Sequence, residues 1–194
     1  MASLSRWKNY AFSTRRSSFK NRTHWWRSNS KRETSMNMLE MNGDFSEKQL
    51  LQKEEDFVIS LPLFYRNFLK NCNGGVPEKI FFNFKDTKTN GSLIDRLFGF
   101  VENKYRNIDM YYKSYKKRIP CNTLPIGIDS GGNLILLSVK GADYGKVYYW
   151  DHNWEAEDGQ VADYSNLTLI ADSFEEFINN LKSEEEIDAL LDSK

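Results

Sequence analysis

A glycine-rich turn between two apolar segments restricts this chain to a small set of folds. An alternating apolar segment, 126–128, leads into Asp129-Ser130-Gly131-Gly132-Asn133, and the apolar run 134–139 follows directly. Adjacent glycines supply the positive φ angles that a tight reversal of the chain needs. The pattern therefore predicts a β-hairpin. A second turn at 141–145 leads into the aromatic segment 146–151, so we predict that the chain continues as an antiparallel meander.

Helical signals lie on both sides of these strands. Ser46 can open a short helix, and Pro62 suits the first turn of a second helix that Asn73-Gly74-Gly75 ends. Ser173 and Ser183 are each followed three residues later by a glutamate, which is the capping-box pattern. Another helix is predicted across 103–117, and further strands at 80–84, 93–101 and 167–171. This order predicts an α+β fold, in which a twisted, mostly antiparallel sheet packs with N-terminal and C-terminal helices.

The net charge of zero hides two segments of opposite charge. Residues 1–35 contain nine lysines and arginines and one glutamate, a net charge of +8, and the remainder carries −8. Residues 1–42 also show no sustained periodicity of a helix or a strand. We therefore predict a basic, disordered N-terminal extension over 1–42 and a folded domain over 43–194.

Three interpretations of this extension stay open. Arginines interleaved with tryptophans suit single-stranded nucleic acid, because cations contact phosphates and bases stack on indole rings. The same acid-poor, serine-rich composition is typical of an organellar transit peptide. In the third interpretation translation starts at Met36, Met38 or Met41, where the composition changes, and the upstream residues have no folded role.

The composition argues against a membrane protein and a disulfide scaffold. No apolar run approaches the roughly eighteen residues of a membrane span, and basic residues interrupt the N-terminus where a secretory signal would be apolar. We therefore expect a cytoplasmic protein that has no membrane partner. Cys72 and Cys121 lack the spacing of a disulfide framework or a zinc site, so both are expected to be reduced.

The sequence contains no recognisable catalytic or metal-binding motif. Of the two histidines, His24 lies in the basic extension and His152 follows a predicted strand. Asp151, His152 and Glu155 are conceivable metal ligands, but no second histidine or helical His-Glu-x-x-His spacing supports them. The glycines at 127–132 lack the spacing of a phosphate loop and precede a strand. We predict no catalytic residues, no metal site and no cofactor.

Acidic residues concentrate towards the C-terminus. Residues 151–194 contain thirteen aspartates and glutamates against two lysines, a net charge of −11. Carboxylates beside an exposed aromatic ring suit the binding of a basic protein partner. The residues predicted to form such a surface are Asp151, Trp154, Glu155, Glu157 and Asp158. Solvated helix faces would account for the same acidity, so plain solubility stays open as the alternative.

Four segments, taken in order, carry a resemblance to a known family. They are Leu61-Pro62, Tyr65, Phe68-Leu69 and Asn73-Gly74-Gly75; Leu124-Pro125-Ile126, Asp129, Gly131-Gly132-Asn133 and Leu134 to Leu137; Gly145-Lys146-Val147-Tyr148-Tyr149-Trp150-Asp151; and Ala171-Asp172-Ser173-Phe174-Glu175-Glu176-Phe177. With these segments the chain resembles the SUKH superfamily, the SMI/KNR-like domain, across about 45–181. The basic extension upstream of Phe45 is not part of the family pattern.

The resemblance implies a single α+β domain without catalytic residues. Many bacterial members are immunity proteins that bind and neutralise a polymorphic toxin, often a nuclease, and eukaryotic relatives act through protein contacts in cell-wall regulation and signalling. A cognate toxin domain is thus the implied partner. The alternative is a regulatory or scaffold protein in which residues 1–35 contact nucleic acid; elsewhere in the chain no nucleic-acid contact is expected. The sequence does not predict an oligomeric state.

Overall fold

The predicted hairpin lies at the centre of an antiparallel sheet. The computed structural model describes residues 24–27, 35–85, 87, 90–157 and 160–192. Its strands are β1 (His24–Arg27), β2 (Ser35–Met41), β3 (Gly75–Pro77), β4 (Phe81–Asn83), β5 (Gly91–Leu97), β6 (Thr123–Asp129), β7 (Leu134–Ser138), β8 (Val147–Trp150) and β9 (Leu167–Ala171). Its α-helices are α1 (Glu47–Phe57), α2 (Leu63–Cys72), α3 (Ile108–Tyr115), α4 (Phe174–Asn179) and α5 (Glu184–Asp192). The hairpin is β6–β7, and Gly132 in its turn has a φ of 88°, the left-handed conformation that glycine adopts without strain.

The sheet confirms the predicted α+β class. Its strand order is β1-β2-β3-β5-β6-β7-β8-β9, all neighbours are antiparallel, and β4 pairs with β5 beside this path. Pro125 lies inside β6, where proline cannot donate a ladder hydrogen bond, and the register shifts between Pro125 and Gly127. Within the described part of the chain, none of the helices has both the length and the apolar character that crossing a membrane requires.

Aromatic rings fill the core on the side of the sheet that Tyr149 faces. The Tyr149 ring centroid lies 6.1 Å from that of Phe82, and Phe82 lies 5.9 Å from Phe177 of α4. Phe174, also on α4, lies 5.2 Å from Phe68 of α2. Phe68 and Phe177 are 0% and 1% exposed, which confirms the prediction that α2 and α4 direct these side chains into a core.

The opposite side of the sheet is covered by α3. Trp150 points to this side because successive residues of a strand alternate in direction, and it is fully buried. Its ring meets Tyr115 of α3 at a centroid distance of 5.6 Å and an angle of 82°. Tyr111 of α3 stacks on Phe98 at 3.9 Å. The tyrosines of this helix therefore pack against the core, as their spacing predicts.

The predicted capping boxes near the C-terminus form, with one difference. Ser183 and Glu186 make both bonds of the box: the Ser183 amide donates to the Glu186 carboxylate at 2.7 Å, and the Glu186 amide donates to the Ser183 hydroxyl at 3.3 Å. At α4 the Glu176 amide donates to the Ser173 hydroxyl at 3.0 Å. The Glu176 carboxylate, however, accepts from the amide of Asp172 at 2.8 Å, one residue earlier than the box predicts.

The helix predicted across 103–117 divides into two elements. A 3-10 turn covers Lys104–Arg106, and α3 begins only at Ile108. Asn107 separates them because its side-chain oxygen accepts from the amide of Met110 at 3.2 Å and so caps α3. Asparagine is among the favoured residues at this position, since it satisfies an amide that has no partner within the helix.

Two strands, β1 and β2, lie within residues 1–42, the segment that was predicted to be disordered. β2 pairs with β3 inside the sheet, and β1 pairs with β2. Met36 and Met38 of β2 are 6% and 0% exposed, so they belong to the core. The rest of the predicted extension, residues 1–23 and 28–34, lies outside the described residues. Translation from Met36 or Met38 stays a prediction, as does translation from Met41, which would remove nearly all of β2.

Candidate functional site

A buried carboxylate holds the β6–β7 turn. Asp129 is 2% exposed, and its Oδ1 accepts from the amides of Gly131 at 2.8 Å and Asn133 at 2.7 Å. Its Oδ2 accepts from the hydroxyls of Ser92 at 2.7 Å and Tyr149 at 3.0 Å, and from the Asn133 side chain at 3.1 Å. Burial and the charge of Asp129 raise the pKa of Tyr149, so the hydroxyl stays a proton donor. These donors replace the water that the buried carboxylate has lost.

The same network extends to the segment after β8. The Asn133 side-chain oxygen accepts from the His152 amide at 3.1 Å and lies 2.6 Å from His152 Nδ1. His152 opens a 3-10 turn, His152–Trp154, and the Asp151 carboxylate caps it by accepting from the Asn153 amide at 2.9 Å. The first residues of this turn are therefore fixed to the central hairpin.

An ion pair fixes the other end of the turn. The Arg118 guanidinium donates to both carboxylate oxygens of Glu155, from Nε at 2.7 Å and from Nη2 at 2.9 Å. It also lies 4.5 Å above the ring of Tyr115 and 5.7 Å above that of Trp150. The hydrogen bonds from Arg118 hold the pKa of Glu155 below its ordinary value. Glu155 is thus an ionised carboxylate that is already paired within the domain.

Trp154 lies between these two attachments and faces the solvent. It is 75% exposed, although most tryptophan side chains in folded proteins are largely buried. Exposed indole rings on a rigid backbone are frequent anchors of protein interfaces. We refer to residues 151–157, with Trp154 at their centre, as the Trp154 turn.

The structure separates the five residues that the sequence predicts as a partner surface. Trp154 and Glu157 are exposed. Asp151 caps the turn and Glu155 pairs with Arg118, so these two carboxylates position the Trp154 turn. Asp158 lies outside the described residues. The role of all five in binding a partner stays a prediction.

The predicted site residues did not include Arg118 and Asn133, which also position the Trp154 turn, or three exposed aromatic and apolar side chains. In the sequence, Arg118 is typical of a cation at a helix end and Asn133 of a turn residue. The pairing of Arg118 with Glu155 has no local signal, because 37 positions separate the two residues. Tyr144, Tyr164 and Val161 are 45%, 40% and 88% exposed. Their only sequence signal is an aromatic or branched residue within a polar loop, which by itself does not mark a surface.

The conceivable metal ligands bind separate partners. Asp151 contacts Asn153, His152 contacts Asn133, and Glu155 contacts Arg118. In the part of the chain that the structure describes, no three histidine, cysteine, aspartate or glutamate side chains are grouped so that they could hold a metal ion.

Comparison with known proteins gives two matches. The model of the SMI1 / KNR4 family (SUKH-1) matches residues 44–180. The chain is 29% identical over 153 residues to the SPbeta prophage-derived uncharacterized protein YokK of Bacillus subtilis (strain 168), an alignment that covers 71% of this chain and 74% of that protein. The hairpin network, the Trp154 turn and helices α1 to α3 all lie inside the family match.

Proposed function

Since the chain belongs to the SMI1 / KNR4 family (SUKH-1), we propose that it is a non-catalytic protein-binding domain and acts as an immunity protein. In this function it binds a cognate toxin directly and blocks the toxin's active site. A nuclease is the class of toxin that we expect, because a nuclease must present cations to the phosphates of its substrate. An acidic binding surface competes for those same cations.

The observation that carries this proposal is the rigid presentation of Trp154. The ring is 75% exposed, while its turn is attached at both ends, through His152 to Asn133 and through Glu155 to Arg118. A backbone segment already held in its bound conformation loses little conformational entropy when a partner covers it. Burying the large indole then contributes directly to affinity.

The charge of the domain supports the same proposal. Residues 36–194 carry a net charge of −8, and Glu157 is an exposed carboxylate within the Trp154 turn. Opposite net charges accelerate the encounter of two proteins, which is an advantage for an inhibitor that must capture a toxin quickly.

The non-catalytic part of the proposal rests on how the buried polar groups are used. Asp129 accepts five hydrogen bonds from Ser92, Gly131, Asn133 and Tyr149, so its carboxylate is committed to the hairpin. His152 contacts Asn133 through both its amide and its ring. These contacts support the non-catalytic part of the proposal, because both groups help to hold the fold.

Co-expression with the toxin encoded in the neighbouring gene tests the function. We expect the chain to protect the cells and to co-purify with the toxin. Trp154→Ala should weaken the complex by about 30-fold, as for a central interface tryptophan, whereas Leu51→Ala, which shortens an exposed residue of α1, should not. Failure of the unmodified chain both to protect and to co-purify would contradict the proposal.

A further inference from the structure

A cluster of tyrosines surrounds one carboxylate beside the Trp154 turn. The ring of Tyr164 meets that of Tyr148 edge to face, with centroids 5.6 Å apart and an angle of 75°. The Tyr164 hydroxyl donates to Asp143 Oδ2 at 2.8 Å. The side-chain amide of Asn122 donates to the Tyr164 hydroxyl at 2.5 Å and to Asp143 Oδ1 at 3.2 Å. Tyr144, next to Asp143 in the chain, is 45% exposed.

This cluster and one of the contacts of Arg118, which holds the Trp154 turn, involve the same strand, β8. Tyr148 and Trp150 are two residues apart on β8, so they share one face of the sheet at a spacing of about 7 Å. Trp150 is covered by Arg118, which holds the Trp154 turn, and Tyr148 is covered by Tyr164. The two covering groups therefore contact residues on the same face of β8.

The carboxylate of Asp143 keeps unused hydrogen-bonding capacity. It accepts side-chain hydrogen bonds from Asn122, Tyr164 and Tyr148, while a carboxylate can accept about four. Among the described residues no ion pair involves Asp143. Lys146, the closest cation after it in the sequence, lies with its Nζ 4.0 Å from Asp172.

The carboxylate of Asp143 raises the pKa of a neighbouring tyrosine. Burial and the Asp143 carboxylate raise the pKa of Tyr148 to about 12, so this ring stays neutral. Asp163, one residue before Tyr164, is exposed, and hydrogen bonds from Ser165 hold its pKa below the ordinary value. Together, neutral aromatic rings and carboxylates form a surface that favours a cation.

We propose that the surface formed by Asp143, Tyr144 and Tyr164 binds an arginine side chain of the protein partner. This inference rests on the proposed function and adds the chemistry of the contact. A guanidinium can donate a charge-assisted hydrogen bond to the carboxylate and at the same time stack on a tyrosine ring. A lysine ammonium offers a point charge without the flat surface, so arginine is the better fit.

Binding of a hexa-arginine peptide tests this contact without the toxin. In two-dimensional NMR spectra at low salt, we expect the peptide to shift the amide signals of 141–145 and 161–166. Hexalysine should bind more weakly, and hexacitrulline, which has the same shape without the charge, should not bind. Asp143→Asn should weaken hexa-arginine binding about tenfold, the usual effect of removing a charge-assisted hydrogen bond.

Two further variants distinguish this contact from general electrostatic attraction. Glu184→Gln removes one negative charge from α5 and should leave the affinity unchanged. Tyr144→Ala removes only an exposed ring and should weaken binding about two- to fivefold, as expected for a cation–π contact at an exposed site. Thermal melting of each variant shows whether it remains folded.

Three results would overturn the arginine contact: no binding at low salt, shifts confined to the acidic helix α5, or equal affinity for hexalysine together with no effect of Asp143→Asn. None of these results bears on toxin neutralisation. If the chain neutralises its toxin while hexa-arginine binds elsewhere, only the arginine contact is wrong. If the peptide binds as expected and no toxin is neutralised, only the proposed function is wrong.

Discussion

Asn133→Ala should both destabilise the domain and release the Trp154 turn. The Asn133 side chain is almost fully buried and connects three elements. Its amide donates to Asp129 Oδ2 at 3.1 Å and to the Tyr149 hydroxyl at 2.6 Å, while its oxygen accepts from the His152 amide at 3.1 Å and contacts the His152 ring at 2.6 Å. Alanine keeps only the two backbone bonds to Asp129, in which its amide donates to Asp129 Oδ1 and its carbonyl accepts from the Asp129 amide.

The expected cost follows from the groups that are left without partners. Each buried hydrogen bond contributes about 1 kcal/mol, and an unsatisfied buried donor or acceptor costs somewhat more. The loss of four contacts therefore lowers the free energy of unfolding by about 3 to 4 kcal/mol. For a domain of this size that corresponds to a drop of about 10 °C in the melting temperature.

Thermal melting followed by circular dichroism measures the loss of stability, and hydrogen exchange at the Trp154 amide measures the release of the turn. Asn153→Ala is the matched control. It removes an exposed contact of 2.9 Å to Asp151 and should cost less than about 1 kcal/mol. If Asn133→Ala melts within about 2 °C of the unmodified chain, or no lower than the control, then the network does not couple the hairpin to the turn.

The other predictions concern β2, the ion pair and the basic N-terminus. Met38→Ala should lower the free energy of unfolding by about 2 to 5 kcal/mol in chemical denaturation, because it leaves a cavity; Leu39→Ala, at a half-buried position, should cost less. Arg118→Ala should cost about 1 kcal/mol, and in an NMR titration the pKa of Glu155 should rise towards its ordinary value. Because the pair lowers that pKa, its contribution to stability is present at neutral pH and is lost as the pH falls through the folded-state pKa of Glu155, so the two proteins should differ less in acid. If the basic N-terminus contacts nucleic acid, mobility-shift assays should detect RNA binding that weakens steeply with salt and is lost on deletion of 1–35; no binding at low salt would exclude this alternative.

Local signals explain which parts of the fold were predictable. The hairpin turn and the box at Ser183 depend on residues within five positions of each other, so the sequence contains all that is needed. β2 could not be predicted in this way, because its partner β3 begins at Gly75, more than thirty positions later. Its buried residues, Met36 and Met38, also lie in a polar segment where two apolar positions do not establish a period.

The family resemblance is confirmed, and the structure gives a physical reason for one of its motifs. Asp129 and Asn133 occur in the segment that the resemblance identified, but their spacing only predicted a turn. In the structure they form a buried network that also fixes His152, nineteen positions beyond Asn133. The sequence also predicted the acidic loop of the candidate surface. It did not predict the pairing of Glu155 with Arg118, because this pairing depends on how α3 packs against β8.

The position of β2 has a consequence for any shorter version of this chain. The family match begins at residue 44, after β2 has ended. A fragment cut at that boundary would expose the backbone amides and carbonyls along the outer edge of β3, together with the apolar contacts of Met36 and Met38. An open strand edge of this kind recruits a strand from another molecule. We therefore expect a fragment that begins at residue 44 to associate with copies of itself, because residues 35–41 no longer cover the edge of β3.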